Sequence, residues 1–237
     1  MNVLIVHAHN EPKSFNSSMK NLAREQLENQ GYTVQVSDLY EMRFNPVATG
    51  DDFLKRIDPE YLVYALEQRN AYKQGGLDPE IGAELEKVKW ADFIIFNFPI
   101  YWFGMPAIMK GWIDRVFVSG YCYGGTRFYD YGGLRGKKAM LSFTIGSQKH
   151  MFGSRAVHGE LEAMIRPIQR GILGYLGFTV LPPFVAFHVP YISHAARAQY
   201  LKDYQERLQN LDRLTPLEFP SLDDFDEKMH PLYKEVE

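Results

Sequence analysis

Short apolar runs rich in β-branched residues alternate with segments of helical period through the first two hundred residues, and few folds accept that rhythm. The runs are Val3–Val6, Thr33–Val36, Phe93–Phe98, Ala139–Thr144 and Thr179–Phe187. Most are continuous rather than alternating, which suits strands covered on both faces. Between them, Met19, Leu22, Ala23 and Leu27 recur at helical spacing, with Gly31 as a stop signal. Glu80–Lys89 reads as a polar helix, and Pro106 suits the first turn of a helix carrying Ile108, Trp112, Ile113, Val116 and Phe117. Glu160–Leu173 is expected to be helical, and Ser193 to cap a last helix reaching about Leu211. Five strands joined this way predict an α/β fold: a doubly wound parallel sheet of order 2-1-3-4-5 with helices on both faces.

The remaining segments interrupt the rhythm without replacing it. Residues 40–79 are aromatic-rich and weakly patterned, and read as an excursion with short helices. Residues 119–136 are rich in Gly and Tyr and read as an insertion or hairpin. Pro216, Pro220 and Pro231 predict an extended tail from about residue 212. With no repeat and no linker, residues 1–237 are expected to form a single domain. A net charge of −3 gives no electrostatic reason to expect nucleic acid. The single cysteine, Cys122, cannot form an internal disulfide, and Met1 leads directly into an apolar strand; a cytoplasmic protein is the expectation. The most apolar stretch, Phe93–Met109, is broken by Asn97, Pro99, Gly104 and Pro106, so no stable membrane insertion is expected.

In doubly wound sheets ligands sit beyond the carboxyl ends of the strands, near the switch in strand order. Three segments qualify. HAHNEPKSFN, His7 to Asn16, opens into a helix whose free N–H groups suit an anion, although Ser14 or Asn16 as a plain cap reads equally well. His7 and His9 invite a metal reading, but no Asp, Glu or Cys stands at supporting spacing, so no metal is expected. FPIYWFGMP, Phe98 to Pro106, carries three consecutive aromatics that suit either a subunit contact or the wall for a planar ring. TIGSQKHMFGSRAVHGE, Thr144 to Glu160, is kept open by Gly146, Gly153 and Gly159 and carries His158, as surface residue or as catalyst.

At these residues the chain resembles the NAD(P)H:quinone oxidoreductase family, the diaphorase-like branch of the flavodoxin-like superfamily. The likeness runs through SFN at Ser14–Asn16, SDLY at Ser37–Tyr40, FNP at Phe44–Pro46 and FGMPAIMKGWIDRVF at Phe103–Phe117. It continues through HGE at His158–Glu160 and PIQRGIL at Pro167–Leu173, and covers residue 1 to about residue 220. The resemblance implies FAD rather than FMN as cofactor. His9, Ser14, Phe15 and Asn16 would meet its pyrophosphate and ribityl part. Pro99, Ile100, Tyr101, Trp102 and Phe103 would carry the ring, Thr144, Ile145, Gly146 and Ser147 its pyrimidine edge, and Arg197 the adenylate end. Trp102, Phe103, Tyr123 and Tyr175 would frame a slot that takes NAD(P)H and then a quinone or similar small aromatic acceptor, lined by both subunits of a homodimer.

Two residues depart from the family pattern. The family places a tyrosine hydroxyl in the loop beside the histidine; here that position is Phe152, while His158 is kept. Gly125 stands where relatives carry an aromatic at the slot mouth. Catalysis is therefore expected around His158, with Phe152 in the tyrosine's place. The competing expectations are a flavin-binding ancillary subunit, similar to those of potassium-efflux systems, and an azo- or nitro-compound reductase using the same site.

Overall fold

A computed structural model describes residues 1–233 of the chain. Five parallel strands, β1 (Asn2–His7), β2 (Thr33–Asp38), β3 (Phe93–Pro99), β4 (Lys138–Ile145) and β5 (Thr179–Phe187), form one sheet of order β2-β1-β3-β4-β5. The order reverses between β1 and β3, which places the switch point beside the loops after those two strands.

Each strand's period of two divides its side chains between two cores. Val3, Ile5, Phe93, Ile95 and Met140 face the layer of α1 (Phe15–Asn29) and α6 (His194–Gln209). Leu4, Val6, Ile94, Phe96 and Leu141 face α3 (Pro79–Trp90), α4 (Ala107–Val116) and α5 (Leu161–Ile168). These side chains are almost fully buried, and each contributes roughly 1.5–3 kcal/mol of transfer free energy. The continuous apolar runs of the sequence are thus explained by helices on both faces.

Ser14 caps α1 by accepting the Ser17 N–H at 3.1 Å, and Ser193 caps α6 by accepting the Ala196 N–H at 3.2 Å. α4 runs against the FNP segment so closely that a Cβ on Gly111 would lie 2.1 Å from the Pro46 carbonyl oxygen. Only glycine fits there.

Residues 40–79 form the expected excursion with short helices, and two later segments refine or depart from what was expected. Residues 40–79 hold a 3₁₀ turn at Gly50–Asp52 and one full helix, α2 (Tyr64–Gln74), and their buried polar groups accompany buried Phe44, Phe53 and Ala71. Asp52 receives Arg115 and the Tyr64 hydroxyl, and buried Glu67 accepts the Ile57 N–H at 2.8 Å. Residues 119–136 carry isolated bridges and a 3₁₀ turn rather than a two-stranded hairpin. A Cβ on Gly133 would meet the Tyr121 carbonyl at 1.9 Å, so that loop is a packed coil. The helix expected over Glu160–Leu173 starts at Leu161 and loosens after Ile168 into a π-helical turn, Gln169–Gly174. Pro167 lies inside it and supplies no N–H to the ladder, which is where such bulges arise.

The tail runs back over the molecule. Leu217 donates its N–H to Val180 at 2.8 Å, and the Asp130 carboxylate accepts the Leu222 N–H at 2.5 Å. It leaves a 3₁₀ turn at Leu211–Arg213, runs extended to Ser221, and after a second 3₁₀ turn at Leu222–Asp224 doubles back so that Phe225 bridges Pro231, which departs from the extended tail expected; residues 234–237 lie outside the described residues.

Candidate functional site

The loops after β1, β3 and β4 and the start of α6 enclose an open groove of about 640 Å³ at the carboxyl edge of the sheet. That is within the range of small-molecule sites. The β1 loop and α1 bring His9, Lys13, Phe15, Asn16 and Ser18 to it, and β3 brings Pro99, Ile100 and Tyr101. The β4 loop contributes Thr144, Ile145 and Gly146. Val189, Pro190, His194 and Arg197 close the far end. Ten of the residues singled out from the sequence therefore meet in one place: His9, Phe15, Asn16, Pro99, Ile100, Tyr101, Thr144, Ile145, Gly146 and Arg197.

Polar groups in the groove have fixed roles. His9 Nδ1 accepts the Glu11 N–H at 2.9 Å, which leaves its Nε2–H as a donor. Burial holds its pKa below the ordinary histidine range, so the ring stays neutral near pH 7. Asn16 is buried, accepts the Thr144 hydroxyl at 2.7 Å, and keeps an Nδ2 amide without a protein partner among the described residues. A buried donor left open beside a groove is costly unless a ligand meets it. The N-termini of α1 and α6, with Lys13 and Arg197, give the groove a positive character. Arg197 is partly committed: its Nε donates to the Val189 carbonyl at 3.2 Å.

Ser14 caps α1 from below and does not itself line the groove. His7 is drawn away from His9: its ring is buried, bonds the Asn97 carboxamide oxygen at 2.7 Å, and is pushed by that burial down to about pKa 4. The two histidines do not converge. Among the described residues no three His, Cys, Asp or Glu side chains gather as a metal site.

The aromatic run forms a tight turn. Tyr101 and Gly104 exchange backbone hydrogen bonds at 2.9 and 3.0 Å, with Trp102 at φ 50° and Phe103 at φ 60° between them. Both central residues are left-handed, the type I′ geometry that ordinarily selects Asn-Gly. Two bulky residues held there cost roughly 1–2 kcal/mol each. The result is display: Trp102 is 97% exposed and Phe103 about half exposed at the groove's rim.

Beside that rim, the β4 loop folds on itself. His158 Nε2 lies 3.1 Å from Ser147 Oγ, and its ring packs 5.1 Å from Phe152 and edge-on to Phe103 at 5.3 Å. Ser147, Phe152, His158 and Phe103 thus form one cluster. Tyr123 and Tyr175 stand apart from it. They line a second pocket of about 190 Å³ with Ile113, Asp114, Phe117 and Ile172, which shares no residue with the groove. Tyr175 sits just past the π-turn and stacks on Phe128, so within one chain the four expected slot residues do not form one frame.

Five groove residues escaped the sequence reading as ligand contacts: Lys13, Ser18, Val189, Pro190 and His194. Lys13 stood inside the first loop segment, and the Ser193 cap marked the helix start that carries His194. The loop after β5 had no motif to signal it.

The model of the flavodoxin-like fold family matches residues 1–208. This chain belongs to that family. It is 44% identical over 216 residues to human ribosyldihydronicotinamide dehydrogenase [quinone], covering 91% of this chain and 94% of that protein. It is 42% identical over 224 residues to rat NAD(P)H dehydrogenase [quinone] 1, covering 94% of this chain and 82% of the relative. A solved structure from Klebsiella pneumoniae, described as a candidate quinone reductase, superposes with a TM-score of 0.94 at 37% identity. That match covers 98% of this chain and 94% of the other. The family members named here are oxidoreductases of one kind, and the shared fold extends through the groove.

Proposed function

We propose that this chain is a flavin-dependent NAD(P)H:quinone oxidoreductase, with FAD held in the groove at the carboxyl edge of the sheet. The observation that carries the reading is the buried, unpartnered Asn16 amide beside an apolar wall and two helix N-termini. That donor set fits a ligand with a planar ring, a polar linker and an anionic end. His9, Phe15 and Asn16, on the Ser14-capped helix, would hold the linker and phosphates. Pro99, Ile100, Tyr101, Trp102 and Phe103 would support the ring. Thr144, Ile145, Gly146 and Ser147 would meet its polar edge, and Arg197 with His194 the adenylate end.

Bound flavin supplies the two-electron chemistry that passes hydride from a reduced nicotinamide to a quinone. The residues around it orient both reactants and exclude water. The displayed Trp102–Phe103 turn offers a flat apolar surface for each in succession. His158, hydrogen-bonded to Ser147, places an imidazole at the rim where a proton must be held or delivered. Phe152 brings packing to that imidazole but no proton. Tyr123 and Tyr175, which line a separate pocket in their own chain, fit a slot completed across a homodimer.

The purified protein should be yellow, and acid-released cofactor separated on a column should be FAD. Anaerobic NADH, NADPH or a dihydronicotinamide riboside should bleach the flavin, and a quinone should restore it in one two-electron step. A protein that binds no flavin after reconstitution would sink the reading. Release of FMN alone would overturn the FAD assignment. Turnover with azo or nitro acceptors but not quinones would change the acceptor class while leaving the site in place.

A further inference from the structure

One residue outside the recognised segments controls the backbone of the β4 loop. His188, directly after β5, donates its N–H to the Ile145 carbonyl at 2.7 Å and to the Ser147 carbonyl at 3.1 Å. Its Nδ1 lies 2.8 Å from the Gly146 carbonyl, so the ring donates there too and its Nε2 is left as an acceptor toward the Gln148 amide at 3.5 Å. Three consecutive carbonyls of one loop therefore turn toward a single residue. His188 manages this at φ 57°, a left-handed conformation that brings its N–H and its ring to the same side.

The consequence is geometric. Across a trans peptide the C=O and N–H point in opposite directions. Drawing the carbonyls of Ile145, Gly146 and Ser147 toward His188 turns the N–H groups of Gly146, Ser147 and Gln148 away from it. None of these three N–H groups has a hydrogen-bond partner among the described residues. β4 lies between β5 and β3, so the direction away from His188 is the side of the Pro99–Phe103 turn. Gly146 itself lines the groove.

We infer that His188 is the positioning residue that sets the Gly146–Gln148 amides as a row of donors for the polar edge of the bound ring. The inference rests on the flavin reading given above. Donors fixed before reaction stabilise charge that builds on that edge without reorganising, which is where preorganised amides are most effective. His188 is not among the residues that line the groove, so it acts through the loop. Its own requirements are specific: a backbone at positive φ and a side-chain donor reaching Gly146.

The first test needs no flavin. ¹⁵N NMR of the purified protein should show the neutral His188 ring as the Nδ1–H tautomer, the minor form of free imidazole. An Nε2–H tautomer would overturn the clamp. The second test uses the flavin-loaded protein. His188→Ala and His188→Gly should lower the flavin midpoint potential and slow its reduction by NAD(P)H about tenfold to a hundredfold. His188→Gly keeps the backbone conformation, so an equal effect there isolates the side chain. His188→Asn, which tolerates positive φ and carries an amide donor, should recover most of both quantities. Potentials and rates equal to the native protein in the Ala and Gly variants would overturn the inference. Failure of the native protein to bind flavin would instead remove the underlying reading, with the tautomer still reporting on the clamp.

Discussion

Thr144 donates its hydroxyl to the Asn16 carboxamide oxygen at 2.7 Å, tying the end of β4 to the first turn of α1 across 128 residues. The bond fixes the Asn16 amide plane and so aims its unpartnered Nδ2. Thr144→Val preserves shape and removes the donor. Flavin affinity, measured by fluorescence quenching, should fall about fivefold to tenfold, matching one lost hydrogen bond. Thr144→Ser should bind as the native chain does. Equal affinity in the Val variant would show that Asn16 is oriented by packing alone.

The excursion before α3 hangs on a buried ion pair. Arg115 in α4 reaches Asp52 through Nη2 at 2.8 Å and Nε at 3.1 Å, and donates to the Asn45 carbonyl at 2.6 Å. Both side chains are almost fully buried. Burial and the Asp52 carboxylate also push the Tyr64 hydroxyl pKa well above its ordinary value, so it remains a donor to Asp52. Arg115→Met should lower unfolding stability by about 3–5 kcal/mol in urea titrations, because it strands a buried carboxylate. The double variant Arg115→Met/Asp52→Leu should recover part of that loss. A double variant no more stable than the single one would locate the cost in packing instead.

That ion pair also explains which parts of the molecule could be read in advance. Strands β1, β3 and β4 are runs of apolar residues with helices on both sides, so burial wrote itself into their composition. The Ser14 and Ser193 caps were legible for the same local reason. α2 was not, since its buried positions include Glu67 and Gln68, whose partners are the loop amide of Ile57 and the distant carbonyl of Asp114. The Trp102–Phe103 turn was hidden because bulky residues occupy a geometry that sequence rules reserve for Asn and Gly. The groove's three main loops followed from strand order alone, whereas His188 acts on backbone carbonyls, which carry no sequence signature.

His7 makes stability depend on acidity. Burial drives its pKa from the ordinary 6.5 down to about 4 in the folded chain. Between these values the unfolded chain binds the proton and the folded chain does not, so stability rises with pH across that window. The contribution is complete above the unfolded pKa and is lost as pH falls toward the folded one. It amounts to about 3 kcal/mol at its full extent. Urea unfolding at about pH 5 and about pH 7.5 should show much of that difference, and His7→Gln should flatten it. An unchanged slope in the variant would assign the pH dependence to other groups.

The homodimer proposed above predicts that a second copy of the chain covers exposed apolar side chains. Trp102, Tyr101 and Phe103 stand out at the rim, and Leu54, Ile57, Tyr61 and Leu66 are also exposed in the excursion. A dimer contact would remove such side chains from water. Light scattering at micromolar concentration should give twice the chain mass, as a closed two-fold dimer would. A monodisperse monomer with full quinone turnover would show that Tyr123 and Tyr175 of a neighbour are dispensable.

Phe152 gives the sharpest test of the chemistry. Its ring packs 5.1 Å from His158 and 5.9 Å from Phe187, at the place where the resembling family carries a tyrosine. The imidazole has meanwhile found a different hydroxyl, Ser147, at 3.1 Å. Phe152→Tyr adds a second O–H to this cluster and should speed flavin reduction by NAD(P)H about tenfold. Flavin affinity should stay unchanged, because a donor to charge that appears during hydride arrival acts on the transition state and not on the resting complex. His158→Gln should slow reduction in the native protein if the histidine and Ser147 already share that duty. Stopped-flow bleaching reads both rates directly. Should both variants be neutral, Phe152 and His158 are packing partners within the loop, and the Gly146–Gln148 amides are left as the donors that face the reacting edge.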